Sequence, residues 1–206
     1  MELIKKYFPN LDSYTEDKLS QLGDLYTEWN AKINVISRKD MDHFYERHVL
    51  HSLSIASFIQ FEKGTQILDV GCGGGFPSIP LAIMYPDCQF HSIDSIGKKI
   101  KVVKGVAEAL GLKNLTAEQV RVENHPKQYD FIISRAVTAF PAFVSLCQNK
   151  ILQKNNNAIS NGIIYLKGGD FDEELKNFKK RASVTPLGTY FEEEFFETKK
   201  IIHLSM

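Results

Sequence analysis

Residues 67–81 read Ile-Leu-Asp-Val-Gly-Cys-Gly-Gly-Gly-Phe-Pro-Ser-Ile-Pro-Leu, a short apolar run with an acid near its end, followed by a glycine-rich turn that opens a helix. No other stretch restricts the fold as much. Glycine at 71, 73 and 75 permits positive φ and close approach of backbone to a ligand, while the helix that follows offers free N–H groups at its start. Strand, glycine turn and helix in that order make the nucleotide-binding corner of a parallel sheet. A dinucleotide fingerprint counted from Gly71 needs glycine at 76, where Phe76 stands; counted from Gly73 it needs one at 78, where Ser78 stands. The spacing argues against NAD.

From Thr65 onward the hydrophobic period alternates between strand and helix, which predicts an α/β fold with a mostly parallel, seven-stranded sheet covered on both faces. Strands are predicted near 66–70, 89–93, 115–119, 129–133 and 162–167, with a closing pair near 183–190 and 195–204. Helices are predicted near 76–84, 96–111, 138–149 and 170–180. In the helix over 96–111, Ile96, Ile100, Val103, Ala107 and Leu110 form the apolar stripe.

Residues 1–62 read as an N-terminal helical extension and 63–206 as the sheet domain. Ser13 with Glu16 fits a capping box, and Leu19, Leu22, Tyr26, Trp29 and Ile33 share one helix face. A second helix is predicted over 40–59, burying Val49, Leu53, Ala56 and Ile59.

With 206 residues the chain can bury one domain with an appendage, and it contains no apolar run long enough to span a bilayer. A cytoplasmic monomer is expected. Cys72, Cys88 and Cys147 have no C-x-x-C spacing, so neither disulfides nor a zinc site are expected, and no other metal. A formal net charge of zero argues against a generic nucleic-acid coat but leaves room for a local basic face. Lys98, Lys99, Lys101 and Lys104 crowd one segment, whereas Glu192, Glu193, Glu194 and Glu197 crowd another; either run also fits a solvated face.

In an open α/β sheet, ligands bind beyond the carboxyl ends of the strands. Asp69 closes the first strand. Asp94 closes the second, nineteen positions after Gly75, where a carboxylate binds ribose hydroxyls or caps the next helix; the glycine turn upstream favours ribose. Val120-Arg121-Val122-Glu123 follows the third strand, either facing an adenine ring or simply pairing Arg121 with Glu123. Arg135 follows the fourth strand and should meet a carboxylate, a phosphate or the cofactor, because a buried unpaired guanidinium is costly. Lys167 ends the fifth, as a rim cation or a solvated lysine.

Asp-x-Gly-x-Gly-x-Gly after a strand resembles the first motif of S-adenosylmethionine-dependent methyltransferases. The chain has no Asn-Pro-Pro-Tyr-like segment after the fourth strand and no Pro-Cys nucleophile. Guanine N7 would need neither: it carries no proton, so methylation there requires alignment and charge tolerance rather than a base.

The ordered segments Trp29-Asn30, Asn34, Arg47-His48, Asp69 through Leu81, Asp94-Ser95-x-Gly97-Lys98-Lys99, Arg121-Val122-Glu123, Ser134-Arg135-Ala136 and Leu166-Lys167-Gly168 resemble the small-subunit ribosomal RNA guanine-N7 methyltransferase family, also called glucose-inhibited division protein B. The resemblance implies a Rossmann-like methyltransferase fold using S-adenosyl-L-methionine, acting on 16S ribosomal RNA or a small-subunit precursor. It implies cofactor contacts at Gly71, Phe76, Val122, Glu123 and Arg135, beside Asp69, Gly73, Gly75 and Asp94 from the motif. Lys98, Arg121 and Lys167 are implied on the RNA side, with Arg121 and Arg135 as catalytic candidates. Cys72 stands where the family favours Ser or Thr, Ser78 where it favours Gly, and His51 where it tends to Asp. Arg47 and His48 either contact RNA or hold the extension to the sheet. Two rivals remain: a methyltransferase for a small molecule or protein, and a non-catalytic RNA-binding module of the same fold.

Overall fold

The computed structural model describes residues 1–135 and 138–206. Seven strands form one sheet: β1 (Gln66–Val70), β2 (Gln89–Asp94), β3 (Leu115–Gln119), β4 (Phe131–Arg135), β5 (Gly162–Gly168), β6 (Ala182–Pro186) and β7 (Lys199–Ser205). Their order is β3-β2-β1-β4-β5-β7-β6. Neighbours pair in parallel except at β7, which runs antiparallel to both β5 and β6. Chain order reverses between β1 and β4, which opens the crevice where this topology binds ligands.

Successive strand residues point to opposite faces, and the core divides accordingly. Ile67, Phe131, Ile133, Ile164 and Leu166 belong to one hydrophobic cluster; Leu68, Ile132, Ile163 and Tyr165 belong to the other. Helices α1 (Glu2–Tyr7), α2 (Ser13–Lys32), α3 (Arg38–Met41), α4 (His51–Phe58), α5 (Ser78–Met84) and α6 (Gly97–Ala109) precede β4, and α7 (Phe140–Cys147) and α8 (Asp172–Leu175) follow it. The first cluster draws on α2, α4, α5 and α6, the second on α7 and α8.

Several boundaries differ from expectation for identifiable reasons. Asp12, not Ser13, caps α2, its Oδ1 accepting from Thr15 N at 2.7 Å. The helix expected over 40–59 breaks into α3, a wide π-type turn over Tyr45–Leu50, and α4, with Ile59 extended but buried. Strand β4 starts two residues late because the Asp130 carboxylate accepts from Gln66 N at 2.8 Å, so the ladder begins beyond it. Arg135 thereby becomes the last strand residue. Helix α8 is short, since the chain turns to lay Phe178 edge-on against Phe140, with centroids 5.5 Å apart. Strand β6 stops at Pro186, which has no N–H for the ladder.

The N-terminal helices are tied to the rest of the fold at named points. Tyr26 Oη donates to the Gly74 carbonyl at 2.6 Å, and Lys18 Nζ donates to the Leu110 carbonyl. Trp29 lies so close on α6 that a Cβ at Gly105 would sit 2.0 Å from Cζ2 of its indole. The acidic run near the C-terminus is partly neutralised, because Lys6 pairs with Glu192 at 2.9 Å and Glu193 at 3.0 Å. Among the described residues no helix is long and apolar enough to cross a membrane.

Candidate active site

A cavity of about 500 Å³ opens beyond the carboxyl ends of β1, β2 and β4. Gly71, Cys72, Gly73, Gly74 and Phe76 line it from the turn after β1, Asp94, Ser95, Ile96 and Lys99 from the end of β2, and Val120 through Glu123 from the segment after β3. Arg135, Phe143 and Leu146 line it beyond β4, and Val35 approaches from the extension. The structure thus brings together Gly71, Gly73, Phe76, Asp94, Arg121, Val122, Glu123 and Arg135. It leaves Asp69, Gly75, Lys98 and Lys167 off that lining. Ala136, the last residue of one motif, lies outside the described residues.

The glycine turn is held open by its neighbours. Gly71 N and Cys72 N donate to the Ile93 carbonyl at 2.8 and 3.1 Å. Gly73, with φ +57°, donates its N–H to Asp94 Oδ2 at 3.1 Å. Asp94 Oδ1 accepts from Ile96 N at 2.9 Å, and Lys99 Nζ stands 3.5 Å from Oδ2. Asp94 therefore joins the turn to the start of α6 and also faces the cavity, so the two readings of this residue are compatible. Cysteine suffices at position 72 because its backbone, not a hydroxyl, makes the bonds to β2.

Asp69 sits beneath the turn, only 1% exposed, with Oδ2 accepting from Ser78 N at 3.1 Å and Oδ1 unpartnered. The expected direct ligand contact has no access there; the carboxylate anchors the first turn of α5 instead. Burial pushes its carboxyl up to about 7, against the opposing Ser78 hydrogen bonds and the Arg135 charge. An acid whose pKa is raised by folding stabilises the protein below its unfolded value and loses that contribution as pH climbs to the folded one. Relative to Asp69→Asn, the wild type is expected to lose stability between about pH 4 and 7, as read by denaturant titrations of both proteins across that range. A stability gap independent of pH would contradict this.

Arg135 is half-buried and meets no carboxylate within ion-pair distance among the described residues. Its guanidinium donates to the Arg47 carbonyl at 3.2 Å, lies 3.1 Å from His48 Nδ1, and stands 5.3 Å from the centre of the Phe76 ring. Burial lowers its pKa to about 10, with Asp69 opposing, so it stays charged at neutral pH. His48 is driven down to about 3 by burial and then by Arg135, leaving a neutral ring that can accept the Arg135 bond. Arg47 itself pairs with Asp40 at 2.9 Å. The wide turn over Tyr45–Leu50 is thus joined to the end of β4 through Arg47 and His48.

Arg121 and Glu123 are exposed at the rim, and no ion pair joins them among the described residues, so the bland explanation for that tetrapeptide does not hold. Lys167 is neither solvated nor a free rim cation. It is clamped by Glu174, with oxygens 2.6 and 2.7 Å away, and Glu174 also accepts from Phe140 N. Lys98 and Lys101 instead line a second cleft with Lys32, Asn34 and Lys99, and this cleft shares Val35, Ile96 and Lys99 with the main cavity. His51, buried, packs edge-on against Phe195 and Phe196 rather than serving a charge.

Sequence reasoning missed Val35, Phe143, Leu146 and the exposed face of Ile96. Ile96 is 49% exposed and precedes α6, so it lies off the apolar stripe that the period predicts for it. Val35 reaches the cavity because Asn30 clasps its loop, with Oδ1 accepting from Val35 N and Ile36 N and Nδ2 donating to the Ile36 carbonyl.

Sheet order, crevice and glycine floor define the class: a Rossmann-like protein of the methyltransferase fold. Solved structures agree on the fold. A precorrin-6y C5,15-methyltransferase from Geobacter metallireducens aligns with TM-score 0.58 and 9% identity, covering 84% of this chain and 92% of that one. A mutant of MtNAS in complex with S-adenosylmethionine aligns with TM-score 0.58 and 13% identity over 93% of this chain and 76% of that one. The family described as GidB, rRNA small subunit methyltransferase G, matches residues 15–202, and the chain belongs to that family. Proteins named ribosomal RNA small subunit methyltransferase G are similar along the full length. The Flavobacterium johnsoniae protein is 55% identical over 100% of this chain and 98% of its own, and the Bacteroides thetaiotaomicron protein 50% identical over 98% of each.

Proposed function

We propose that this chain methylates N7 of a guanine in 16S ribosomal RNA, with S-adenosyl-L-methionine as the methyl donor. The carrying observation is the cavity at the β1/β4 reversal, whose rim continues into a cleft bearing Lys98 and Lys101. Its volume of about 500 Å³ suits a nucleoside-sized ligand. The cofactor supplies an electrophilic sulfonium methyl. Asp94 would hold the ribose hydroxyls, Val122 and Glu123 would border the adenine, and the glycine turn would let backbone approach the methionine portion. Arg135 and Phe76, braced by His48, would align the reacting groups. No side chain has to remove a proton from N7, which fits a lining that holds no histidine among the described residues. The same reading has the chain acting as a cytoplasmic monomer.

The test supplies methyl-labelled cofactor with deproteinised 16S RNA or intact small subunits, then digests the RNA and looks for labelled N7-methylguanine. None in any such substrate would reject the proposal; transfer to a small molecule or protein alone would favour the first rival. Binding of RNA without turnover would favour the non-catalytic one.

Neither Lys98 nor Lys101 makes an ion pair among the described residues, and both are exposed. Neutralising both is expected to flatten the salt dependence of RNA binding by roughly 1 to 2 in log–log slope. Lys167→Gln should leave the slope unchanged, because Glu174 already neutralises that lysine. Filter binding across a salt series reads both.

A further inference from the structure

Away from the cavity, residues from three segments converge on one face of the β2/β3 edge. His91 lies on β2, Glu118 on β3, and His125 follows the turn Val122–Asn124. His91 aligns with Thr116 across the ladder, so Glu118, two residues on, shares its face. His91 Nε2 lies 3.4 Å and His125 Nδ1 3.7 Å from the same carboxylate oxygen, Glu118 Oε2. One donor atom from each residue falls within 4.8 Å of the other two. We propose that His91, Glu118 and His125 form a site for a divalent transition-metal ion of the Zn²⁺ type.

Two features favour a metal over a hydrogen-bonded cluster. First, His91 Nε2 and His125 Nδ1 are buried and have no hydrogen-bond partner, although both lie within 4 Å of Glu118 Oε2. Second, the opposite nitrogen of each ring is occupied: His91 Nδ1 lies 3.1 Å from Thr116 Oγ1, and His125 Nε2 2.8 Å from Tyr129 Oη. Each hydroxyl can accept the ring N–H, leaving the inward nitrogen with its lone pair, and this is the arrangement that orients metal-binding histidines. Bonds of about 2.0–2.1 Å in a tetrahedral shell put donor atoms roughly 3.3 Å apart, so the 3.4 and 3.7 Å separations need little adjustment, while the two ring nitrogens, within 4.8 Å of each other, would draw together as the ion binds. Two imidazoles and a carboxylate suit zinc better than magnesium or calcium, and the exposed side at Glu118 leaves a fourth position for water. Bound metal would pin the segment carrying Val122 and Glu123 to the sheet, independently of whether RNA is the substrate.

The experiment uses full-length, tag-free protein stripped with chelator and titrated with Zn²⁺ against a chromophoric indicator, with Co²⁺ loading for spectroscopy. One ion per chain is expected, with visible cobalt bands, no thiolate charge-transfer band, and a rise in Tm on zinc addition. Glu118→Gln, at an exposed position, should weaken binding by at least about 10- to 100-fold, the scale set by losing a mere outer-shell partner, and His91→Gln should abolish the Tm rise. Circular dichroism checks that the variants fold. Absence of stoichiometric binding, binding unchanged in Glu118→Gln, or a thiolate band would each overturn the proposal.

Discussion

Arg135→Ala is expected to lower kcat/KM for methyl transfer on the order of 100-fold, the scale of losing a charged, preorganised contact at a reacting centre. The guanidinium ends β4 at the cavity, beside the Phe76 ring. It is also structural, since it donates to the Arg47 carbonyl and meets His48 Nδ1. Losing those bonds costs about 1–3 kcal/mol of stability, which denaturant titration would report. Arg135→Lys separates the two roles: it keeps the charge but cannot reach carbonyl, imidazole and cavity with one rigid fork. It should recover the part of the stability that one of those bonds supplies, and little of the rate. A variant Arg135→Ala with wild-type turnover would remove the residue from the reacting centre.

Gly75→Ala should be the most damaging single change in the cofactor turn. Gly75 has φ +102°, and an added Cβ would lie 2.5 Å from Ile79 Cδ1, 2.9 Å from its Cγ1 and 3.2 Å from Tyr26 Oη. Backbone strain of about 1–2 kcal/mol and overpacking of about 1–3 kcal/mol add. The expected destabilisation is therefore roughly 2–5 kcal/mol, with cofactor affinity falling as the turn shifts. Ile79→Val removes the nearest carbon. If steric contact matters, the double variant Gly75→Ala/Ile79→Val should be more stable than the sum of the single losses; strict additivity would leave backbone strain as the whole cause.

Much of the fold could be read from the chain because strands and helices announce themselves by period. The run Ile67 through Val70, the glycine turn and the stripe Ile100, Val103, Ala107 are local patterns, and each appears where expected apart from a residue or two at the ends. The errors cluster where a distant partner overrides local preference. Asp130 shifts β4 because it bonds Gln66, and Phe178 shortens α8 because it meets Phe140. Period analysis cannot see either contact, since the partners lie far apart in sequence.

The same division runs through the site. The nucleotide-binding corner, the exclusion of a dinucleotide fingerprint and the candidate Asp94 are legible in the chain because glycine spacing and a strand-end acid are short-range signals, whereas Val122, Glu123 and Arg135 became candidate cofactor contacts through the family resemblance. Tertiary structure alone decided that Asp69 is sealed beneath the turn, that Lys167 is spent on Glu174, and that His48 braces Arg135. It also decided that His91, Glu118 and His125 face one another. Burial and pairing depend on what folding brings within a few ångströms, and a charged side chain reads alike in sequence whether it meets a ligand, a counter-ion or water.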